Sequence, residues 1–277
     1  MTLPPDIRIK YDQLKDRLRP LPLLAVAFSG GVDSTLLLAA AVEMLGRRVV
    51  ALTADSPVHP ARETRTALDI GSRLKVHHIL VRTTEMEQAG FRANTRDRCY
   101  ICKKLIFRQL MVEAAKLGIT HMAHGANLDD LGDYRPGLQA AEELAVIAPL
   151  MEARLTKSEV RQLARELGLP NWDRPAMACL ASRIPYDTPL SRALLTRVEA
   201  AEDLLEALGI QGGRVRCHGD VARLELAGEA AMARVLRPDI RHRLVQGLKA
   251  VGFVYVALDL EGYRQGSLNA PLFSVDP

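Results

Sequence analysis

One short segment limits the fold of this chain more than any other feature. The apolar run Leu23–Phe28 leads into Ser29-Gly-Gly-Val-Asp-Ser34, and a helical pattern over Thr35–Leu45 follows. A strand that turns through two glycines into a helix begins a βαβ unit, in which free backbone N–H groups and the helix N-terminus favour a bound phosphate. The segment therefore predicts a parallel sheet with a phosphate loop at the carboxyl end of its first strand.

The rest of the first half repeats this alternation of apolar runs and helical patterns, which is typical of a doubly wound α/β domain with helices on both faces of the sheet. Three of the predicted helices stop at a glycine, at Gly46, Gly118 and Gly168, and the last of them is preceded by a candidate capping residue, Thr156 or Ser158. The predicted strands are Val49–Thr53, Val76–Val81 and Thr120–Gly125, and the predicted helices are Ala61–Arg73, Lys103–Leu117 and Glu159–Leu167.

A proline-rich stretch over residues 170–191 separates this half from a different pattern. We place the boundary near residue 185, which gives a nucleotide-binding domain over 1–184 and a small α+β domain over 185–277. The second domain is predicted to contain the helix Ser191–Leu208, a hairpin of Arg214–His218 and Ala222–Leu226, one or two helices within Glu229–Ala250, and the strand Phe253–Leu260.

Composition excludes several classes of protein. The chain has 277 residues, a formal net charge of +4 and four unevenly spaced cysteines, which is a poor basis for a disulfide framework. Its longest uncharged apolar stretches, near Leu21–Phe28 and Leu36–Val42, are far shorter than the ~20 residues that span a bilayer. The N-terminus lacks the apolar core of a signal peptide. We therefore expect a cytoplasmic protein without a membrane partner.

The hexapeptide Ser29–Ser34 resembles the PP-loop of ATP pyrophosphatases, which cleave ATP to AMP and pyrophosphate and so adenylate a substrate. It lacks the lysine of the Gly-x-x-x-x-Gly-Lys-Ser/Thr loop. Gly125-Ala-Asn-Leu-Asp-Asp130 matches the second signature of that superfamily, although Asn127 and Asp129 could instead cap a helix. The resemblance implies that ATP and Mg²⁺ are cofactors, with Asp33 assisting the metal. The expected nucleotide-binding residues are Ser29, Gly30, Gly31, Asp33, Ser34, Gly125, Asn127, Asp129 and Asp130.

The cysteines form a second constellation. Cys99 and Cys102 are three residues apart in a basic segment, which favours thiolates and lets both chelate one metal centre. A redox dithiol, incidental spacing, or a zinc site completed by His121 and His124 are alternative interpretations. Cys179, within Ala-Cys-Leu-Ala, taken alone is more typical of a small buried side chain.

Considered together, these motifs make the chain similar to the LarE family of sulfur transferases, which make the nickel-pincer nucleotide cofactor of lactate racemase. The similarity covers nearly the whole chain and also includes Arg98–Lys104, Leu131–Gly137 and Ala178–Tyr186. In that family the position of Cys179 supplies sulfur. Members that also have the cysteine pair are thought to hold a [4Fe–4S] cluster through three cysteines. The resemblance thus implies a cluster held by Cys99, Cys102 and Cys179, with one iron left free to carry sulfide.

Period-two alternation places Arg214, Arg216 and His218 on one face of the predicted hairpin, and Arg223 with Glu225 on one face of its partner strand. An ordinary solvated face is the alternative interpretation. Clustered guanidinium groups favour phosphate or carboxylate ligands. Cys217, which alternates with the arginines, is predicted to pack inward.

The family resemblance also assigns roles in substrate binding and catalysis. It implies that Arg214, Arg216, Glu225 and Glu202 bind the substrate, and that Lys103 or Lys104 neutralises its carboxylates. It implies that Cys179, Asp33, Lys103, Ser182 and Arg183 carry the catalytic chemistry.

The implied reaction is the ATP-dependent adenylation of the carboxylates of pyridinium-3,5-biscarboxylic acid mononucleotide and their conversion to thiocarboxylates, with sulfide or another sulfur donor reloading the cluster. Family members tend to form hexamers. A tRNA thiolase, a PP-loop amide synthetase and a nucleotide-binding metal sensor are the rival functions. Residues 185–277 carry eleven basic and twelve acidic side chains, which argues against an RNA surface, and no glutaminase-type domain is evident.

Overall fold

A computed structural model describes residues 3–132, 136–175 and 178–264, which divide into two compact units. The first unit comprises residues 3–91 and 97–175, and the second comprises 92–96 and 178–264. The functional domains 1–184 and 185–277 stay a prediction. Within the described ranges, no helix is long and apolar enough to cross a membrane.

The first unit is built on a parallel sheet of four strands in the order β3-β2-β1-β4. Alternate residues of the central strand face different cores, since Leu24 and Val26 pack in one cluster and Ala25 packs in the other. Helices therefore cover both faces, and the predicted fold class is confirmed. The strands are β1 Leu24–Ala27, β2 Val49–Asp55, β3 His77–Arg82 and β4 Met122–His124.

The helices of this half follow the predicted order with additions at both ends. The N-terminal helix was not predicted, although its four buried residues recur at helical spacing. A capping box formed by Thr156 and Glu159 begins the last helix. The helices are α1 Pro5–Leu18, α2 Val32–Leu45, α3 Ala61–Arg73, α4 Ala89–Arg92, α5 Arg98–Lys116, α6 Pro136–Glu143, α7 Pro149–Glu152 and α8 Lys157–Glu166.

The helix α5 begins at Arg98, five residues before the predicted start at Lys103, so that prediction was wrong. The reason lies in the core. Ile106 and Leu110 are buried, and Cys102 packs against the same cluster one turn earlier. Because residues four apart share a helix face, the buried row extends through Cys102 and stabilises an additional turn. Both cysteines of the pair consequently lie on a helix.

The second unit contains a three-stranded sheet in the order β5-β6-β7, in which β5 and β6 are antiparallel and β6 and β7 are parallel. The predicted hairpin is present, with its turn at Gly219 and Asp220, but its second strand and the last strand differ in extent from the predicted ones. The elements are α9 Arg192–Ala207, β5 Arg214–His218, β6 Val221–Glu225, α10 Gly228–Leu236, α11 Pro238–Ala250 and β7 Tyr255–Leu258.

Candidate active site

The phosphate loop lies between β1 and α2. Gly30 has a φ of +75°, which glycine adopts at little cost. The two serine hydroxyls at the ends of the loop are 3.2 Å apart, and Ser34 Oγ donates to the Gly31 carbonyl oxygen at 3.1 Å. These bonds close the loop on itself and hold its serines next to the start of α2.

The first turn of α2 leaves backbone donors unused. Gly31 occupies the N-cap without a side-chain cap, and in the described part of the chain the N–H groups of Val32, Asp33 and Ser34 meet no acceptor. Gly125 keeps the approach open, because a Cβ there would lie 2.7 Å from the Ser34 nitrogen. Unused N–H groups at a helix N-terminus are a ready anion site.

Asp33 joins the loop to the second signature and to α8. Asn127 Nδ2 donates to Asp33 Oδ1 at 3.1 Å, and the Lys157 ammonium forms an ion pair with the other carboxylate oxygen. Lys157 is the first residue of α8, where a positive charge opposes the helix dipole. The sequence interpretation did not single out Lys157. Its unfavourable place at a helix start is the signal that could have found it.

The other acids of the second signature shape the loop. Asp130 Oδ2 accepts from the Asn127 backbone N–H at 3.0 Å, and Asp129 Oδ2 accepts from the Lys157 backbone N–H at 2.9 Å. The Asn127 side chain also accepts from the Asp129 backbone N–H at 3.0 Å. The capping interpretation of Asn127 and Asp129 therefore describes part of what they do, and Asp33 is the carboxylate that faces Lys157.

The cysteine pair lies on the first turn of α5. Cys99 is exposed and Cys102 is half-buried, and neither is in a disulfide. Their spacing of three residues places both thiols on one face of the helix. No group of three or more His, Cys, Asp or Glu side chains in the described ranges is placed to hold a metal ion. His121 and His124, which the alternative zinc site would use, thus form no such group with the cysteine pair.

The two lysines after the pair have different surroundings. Lys104 donates to Glu143 on α6 and to Tyr100 OH, and the hydrogen bonds that Glu143 accepts from Lys104 and Tyr100 lower its pKa to about 2. The Lys103 ammonium lies 5.6 Å from the centre of the Phe107 ring, and among the described residues it has no carboxylate partner. Lys104 thus links α5 to α6, while no carboxylate among the described residues neutralises the charge of Lys103.

Two histidines near Lys103 make the stability of the first unit depend on pH. Burial lowers the pKa of both His59 and His124 to about 4, and the Lys103 charge adds to the shift. Because the unfolded chain binds protons at each site below about pH 6.5, stability should fall as pH drops from about 6.5 to about 4, by up to about 1.4 kcal/mol per group and pH unit. We expect the free energy of unfolding of a His59→Gln/His124→Gln variant, measured in urea, to fall less steeply than that of the wild type below about pH 6.5.

The exposed His242 on α11 provides the control for that measurement. A His242→Gln variant should lose as much unfolding free energy at acid pH as the wild type does. An equally steep loss of stability in the double histidine variant would contradict the assignment.

In the second unit, Cys179 precedes a short 3₁₀ helix, Leu180–Arg183. The polar side chains of this helix donate hydrogen bonds to the Cys179 carbonyl oxygen. Ser182 Oγ donates to that oxygen at 2.7 Å and Arg183 Nη1 donates to it at 3.1 Å. Arg183 also donates to both carboxylate oxygens of Glu202, at 2.8 and 3.2 Å. Burial is the largest single influence and would raise the pKa of Glu202, but the charge and hydrogen bonds of Arg183, the Arg214 charge and the Val215 N–H together outweigh it, so the net shift is downward.

The hairpin carries a second buried ion pair. Arg216 donates to Glu225 Oε2 through two nitrogens, at 2.9 and 2.6 Å, and to the Ser182 carbonyl oxygen at 2.8 Å. Arg223 donates to the other oxygen of Glu225 at 2.9 Å. Glu225 is 0% exposed and Arg216 is 5% exposed, so the solvated-face alternative is wrong for these two residues. Ser182 connects this pair to the Cys179 segment.

Two further residues of this hairpin were considered from sequence. The Arg214 guanidinium lies 5.4 Å from the centre of the Tyr263 ring and donates to the Gly213 carbonyl oxygen at 3.0 Å. Cys217 is buried, which confirms its inward orientation, and it accepts from Arg197 Nη2 at 2.9 Å. The first unit thus contains the cysteine pair and the phosphate loop, and the second contains Cys179 with its arginine–glutamate pairs.

Comparisons with known proteins find relatives of this chain. A family model described as queuosine biosynthesis protein QueC matches residues 24–125. An uncharacterized protein of Synechocystis sp. is 42% identical over 95% of this chain and 98% of its own. The tRNA-specific 2-thiouridylase MnmA of Azorhizobium caulinodans is 32% identical over 55% of this chain and 48% of its own.

The pyridinium-3,5-bisthiocarboxylic acid mononucleotide synthase of Lactiplantibacillus plantarum is similar along nearly the whole length. It is 38% identical over 92% of this chain and 92% of its own. Such identity over almost the full length of both proteins shows that this chain belongs to the LarE family of ATP-using sulfur transferases with a PP-loop.

Proposed function

We propose that this chain adenylates the carboxylates of pyridinium-3,5-biscarboxylic acid mononucleotide and converts them to thiocarboxylates. The observation that carries the proposal is an open anion site at the start of α2, with Asp33 and Lys157 beside it, in a chain 38% identical to a synthase of the bisthiocarboxylic product. Cytoplasmic location and a hexameric assembly stay predictions.

The phosphate loop supplies the first half of the reaction. The unused N–H groups of Val32, Asp33 and Ser34 would hold the departing pyrophosphate. Asp33 is the carboxylate suited to Mg²⁺, which prefers oxygen ligands. The Lys157 ammonium, which pairs with Asp33, lies beside the same loop, and a phosphate oxygen of ATP is a further partner suited to it.

The chemistry proceeds by two displacements. A substrate carboxylate oxygen forms a bond to the α-phosphorus of ATP, the bond from that phosphorus to the bridging oxygen breaks, and pyrophosphate leaves. A sulfur nucleophile then forms a bond to the acyl carbon of the adenylate, and AMP leaves with the electron pair of the broken carbon–oxygen bond. AMP is a far better leaving group than oxide, which is why adenylation must come first.

Cys99, Cys102 and Cys179 are the proposed ligands of a [4Fe–4S] cluster. The fit rests on Cys99 and Cys102, which are in no disulfide and lie on one face at the start of α5, just before Lys103 in the sequence. When bound, a cluster with three cysteine ligands supplies one iron that can carry the sulfide. Lys103 would favour the thiolate form of the pair and attract the substrate carboxylates.

The second unit would bind and orient the mononucleotide. Arg214 and Arg216 are suited to its phosphate, since guanidinium groups bind phosphate through paired hydrogen bonds. Ser182 and Arg183 fix the backbone of Cys179 through its carbonyl oxygen. The remaining proposed substrate residues are Glu202, Glu225 and Lys104, of which the first two hold the arginines in place.

A tRNA thiolase is the second candidate, favoured by the 32% identity to a tRNA-specific 2-thiouridylase. Pyrophosphate release from ATP separates the two candidates. We expect release with the pyridinium biscarboxylate mononucleotide and none with unmodified tRNA. Release with tRNA alone would replace our proposal by the thiolase, and release with neither would defeat it.

Replacing Lys157 with methionine should raise the KM for ATP by about 10–100-fold, because the ammonium that would meet a phosphate is lost while the aliphatic stem stays. Steady-state pyrophosphate release measures it. Lys116, which pairs with Glu113 on the surface of α5, provides the matched control as Lys116→Met. An unchanged KM in the Lys157 variant would exclude a role in ATP binding.

A further inference from the structure

The buried Asn171, in the segment after α8, forms hydrogen bonds with other described residues through its amide nitrogen but not through its amide oxygen. Its side chain donates from Nδ2 to the Gly30 carbonyl oxygen at 2.7 Å and to Thr35 Oγ1 at 2.9 Å. The residue is 1% exposed, and its Oδ1 is buried and accepts no hydrogen bond within the described ranges. Buried polar atoms are almost always paired, so an amide that leaves its acceptor unsatisfied is held there for its donors.

The bond to Gly30 affects the anion site directly. In a regular helix the carbonyl oxygen of Gly30 would accept from the Ser34 N–H, four residues later. Gly30 instead has a φ of +75°, its carbonyl accepts from Asn171, and Ser34 is among the donors left unused in the described part of the chain. Asn171 therefore stabilises the conformation in which the loop can accept an anion.

Gly30 also packs closely against α3. A Cβ at this glycine would lie 3.1 Å from the backbone of Ala67. Turning the Gly30 peptide would require breaking the bond to Asn171. The loop is thus held both by a helix and by one side-chain amide.

Helix α8 holds the segment that carries Asn171. Arg161 donates to the carbonyl oxygens of Trp172 and Arg174 at 3.0 and 2.8 Å. The Arg165 guanidinium lies 5.0 Å from the centre of the Trp172 ring. The same helix begins at Lys157, the partner of Asp33. Helix α8 thus positions two contacts with the phosphate loop, one made by Lys157 at its start and one made by Asn171 in the segment after its end.

We propose that Asn171 is a positioning residue that sets the affinity of the phosphate loop for ATP. It acts through Gly30 and does not touch the nucleotide. The proposal rests on the proposed function, since it requires that this loop bind ATP. Its donors are essential and its acceptor is not, which makes the aspartate variant a specific probe.

An Asn171→Asp variant keeps the shape and loses the donors. At about pH 8 its carboxylate would repel the Gly30 carbonyl, and the Kd for Mg-ATP should rise at least about tenfold. At about pH 5.5 protonation of a buried carboxyl, whose pKa burial raises, returns one O–H donor, so affinity should partly recover relative to the wild type. Isothermal titration calorimetry of the full chain at both pH values measures this.

Two further variants complete the experiment. Asn94 is likewise a buried amide donor, in the second unit: it is 0% exposed and donates to the Pro185 and Thr188 carbonyl oxygens at 2.8 and 2.9 Å. Asn94→Asp should show no pH-dependent change in Kd. Asn171→Leu has no donor at any pH, so it should weaken binding at least about tenfold at both pH values and serves if the aspartate variant does not fold.

The outcomes separate the two proposals. Wild-type affinity in Asn171→Leu, or an Asn171→Asp variant as weak at about pH 5.5 as at about pH 8, overturns the positioning role alone. A wild type that does not bind Mg-ATP overturns the proposed function and this inference with it.

Discussion

Replacing Glu225 with alanine should destabilise the second unit by about 3–5 kcal/mol, because it leaves a buried charge without its partner. Arg216 is 5% exposed and donates two hydrogen bonds to this carboxylate, and Arg223 donates a third. Whole domains are stable by only about 5–15 kcal/mol, so a loss of this size is a large part of the total. Urea unfolding followed by circular dichroism measures it.

Two controls distinguish a buried pair from an ordinary ion pair. Glu261 pairs with Arg264 on the surface, and Glu261→Ala should cost less than about 1 kcal/mol. The double variant Arg216→Met/Glu225→Leu should recover most of the stability, since an apolar pair of similar volume removes the uncompensated charge. A Glu225→Ala variant as stable as Glu261→Ala would show that the pair contributes little.

Replacing Cys179 with serine should reduce thiocarboxylate formation to below about a thousandth of the wild-type rate, while pyrophosphate release in the first turnover persists. The hydroxyl preserves the size of the side chain and the bonds of Ser182 and Arg183 to the backbone carbonyl. It cannot ligate iron or carry sulfur as a thiolate does. Adenylation depends on the phosphate loop, so it should continue. Mass spectrometry of the product together with a pyrophosphate assay measures both.

Cys217 provides the matched control for this variant. It is buried in β5 and bonded to Arg197, and we assign it no part in the reaction. Cys217→Ala should keep thiocarboxylate formation. Multiple turnovers to thiolated product by Cys179→Ser would contradict the role of Cys179 in sulfur transfer.

Most helices and strands of the first unit could be predicted because each is determined largely by the residues within it and at its ends. The helix Ala61–Arg73 was predicted with the observed bounds. The central strands were predicted from short continuous apolar runs, which are typical of a parallel sheet that is buried on both faces. The start of α5 was misplaced because its extra turn depends on Cys102 packing into a core formed by distant residues. No local pattern of caps or glycines marks that turn.

The candidate site divides in the same way. The phosphate loop and the second signature were predictable because one short peptide forms each of them. Asn171 was not predictable, and Lys157 could have been singled out only as a cation at a helix start, since the two residues reach the loop from 141 and 124 residues away. Their roles depend on where α8 packs, which no motif encodes. The arginines of the hairpin were placed on the correct strands, but their burial depends on α9 and the Cys179 segment.

Transfer of a heavy-oxygen label tests adenylation of the substrate most directly. The carboxylates of the pyridinium biscarboxylate mononucleotide are labelled with heavy oxygen, and the AMP formed during thiolation is examined by mass spectrometry. If the carboxylate attacks the α-phosphorus and sulfur then expels AMP, each AMP carries one labelled oxygen. Unlabelled AMP, or label in inorganic phosphate with ADP as the nucleotide product, would contradict the account.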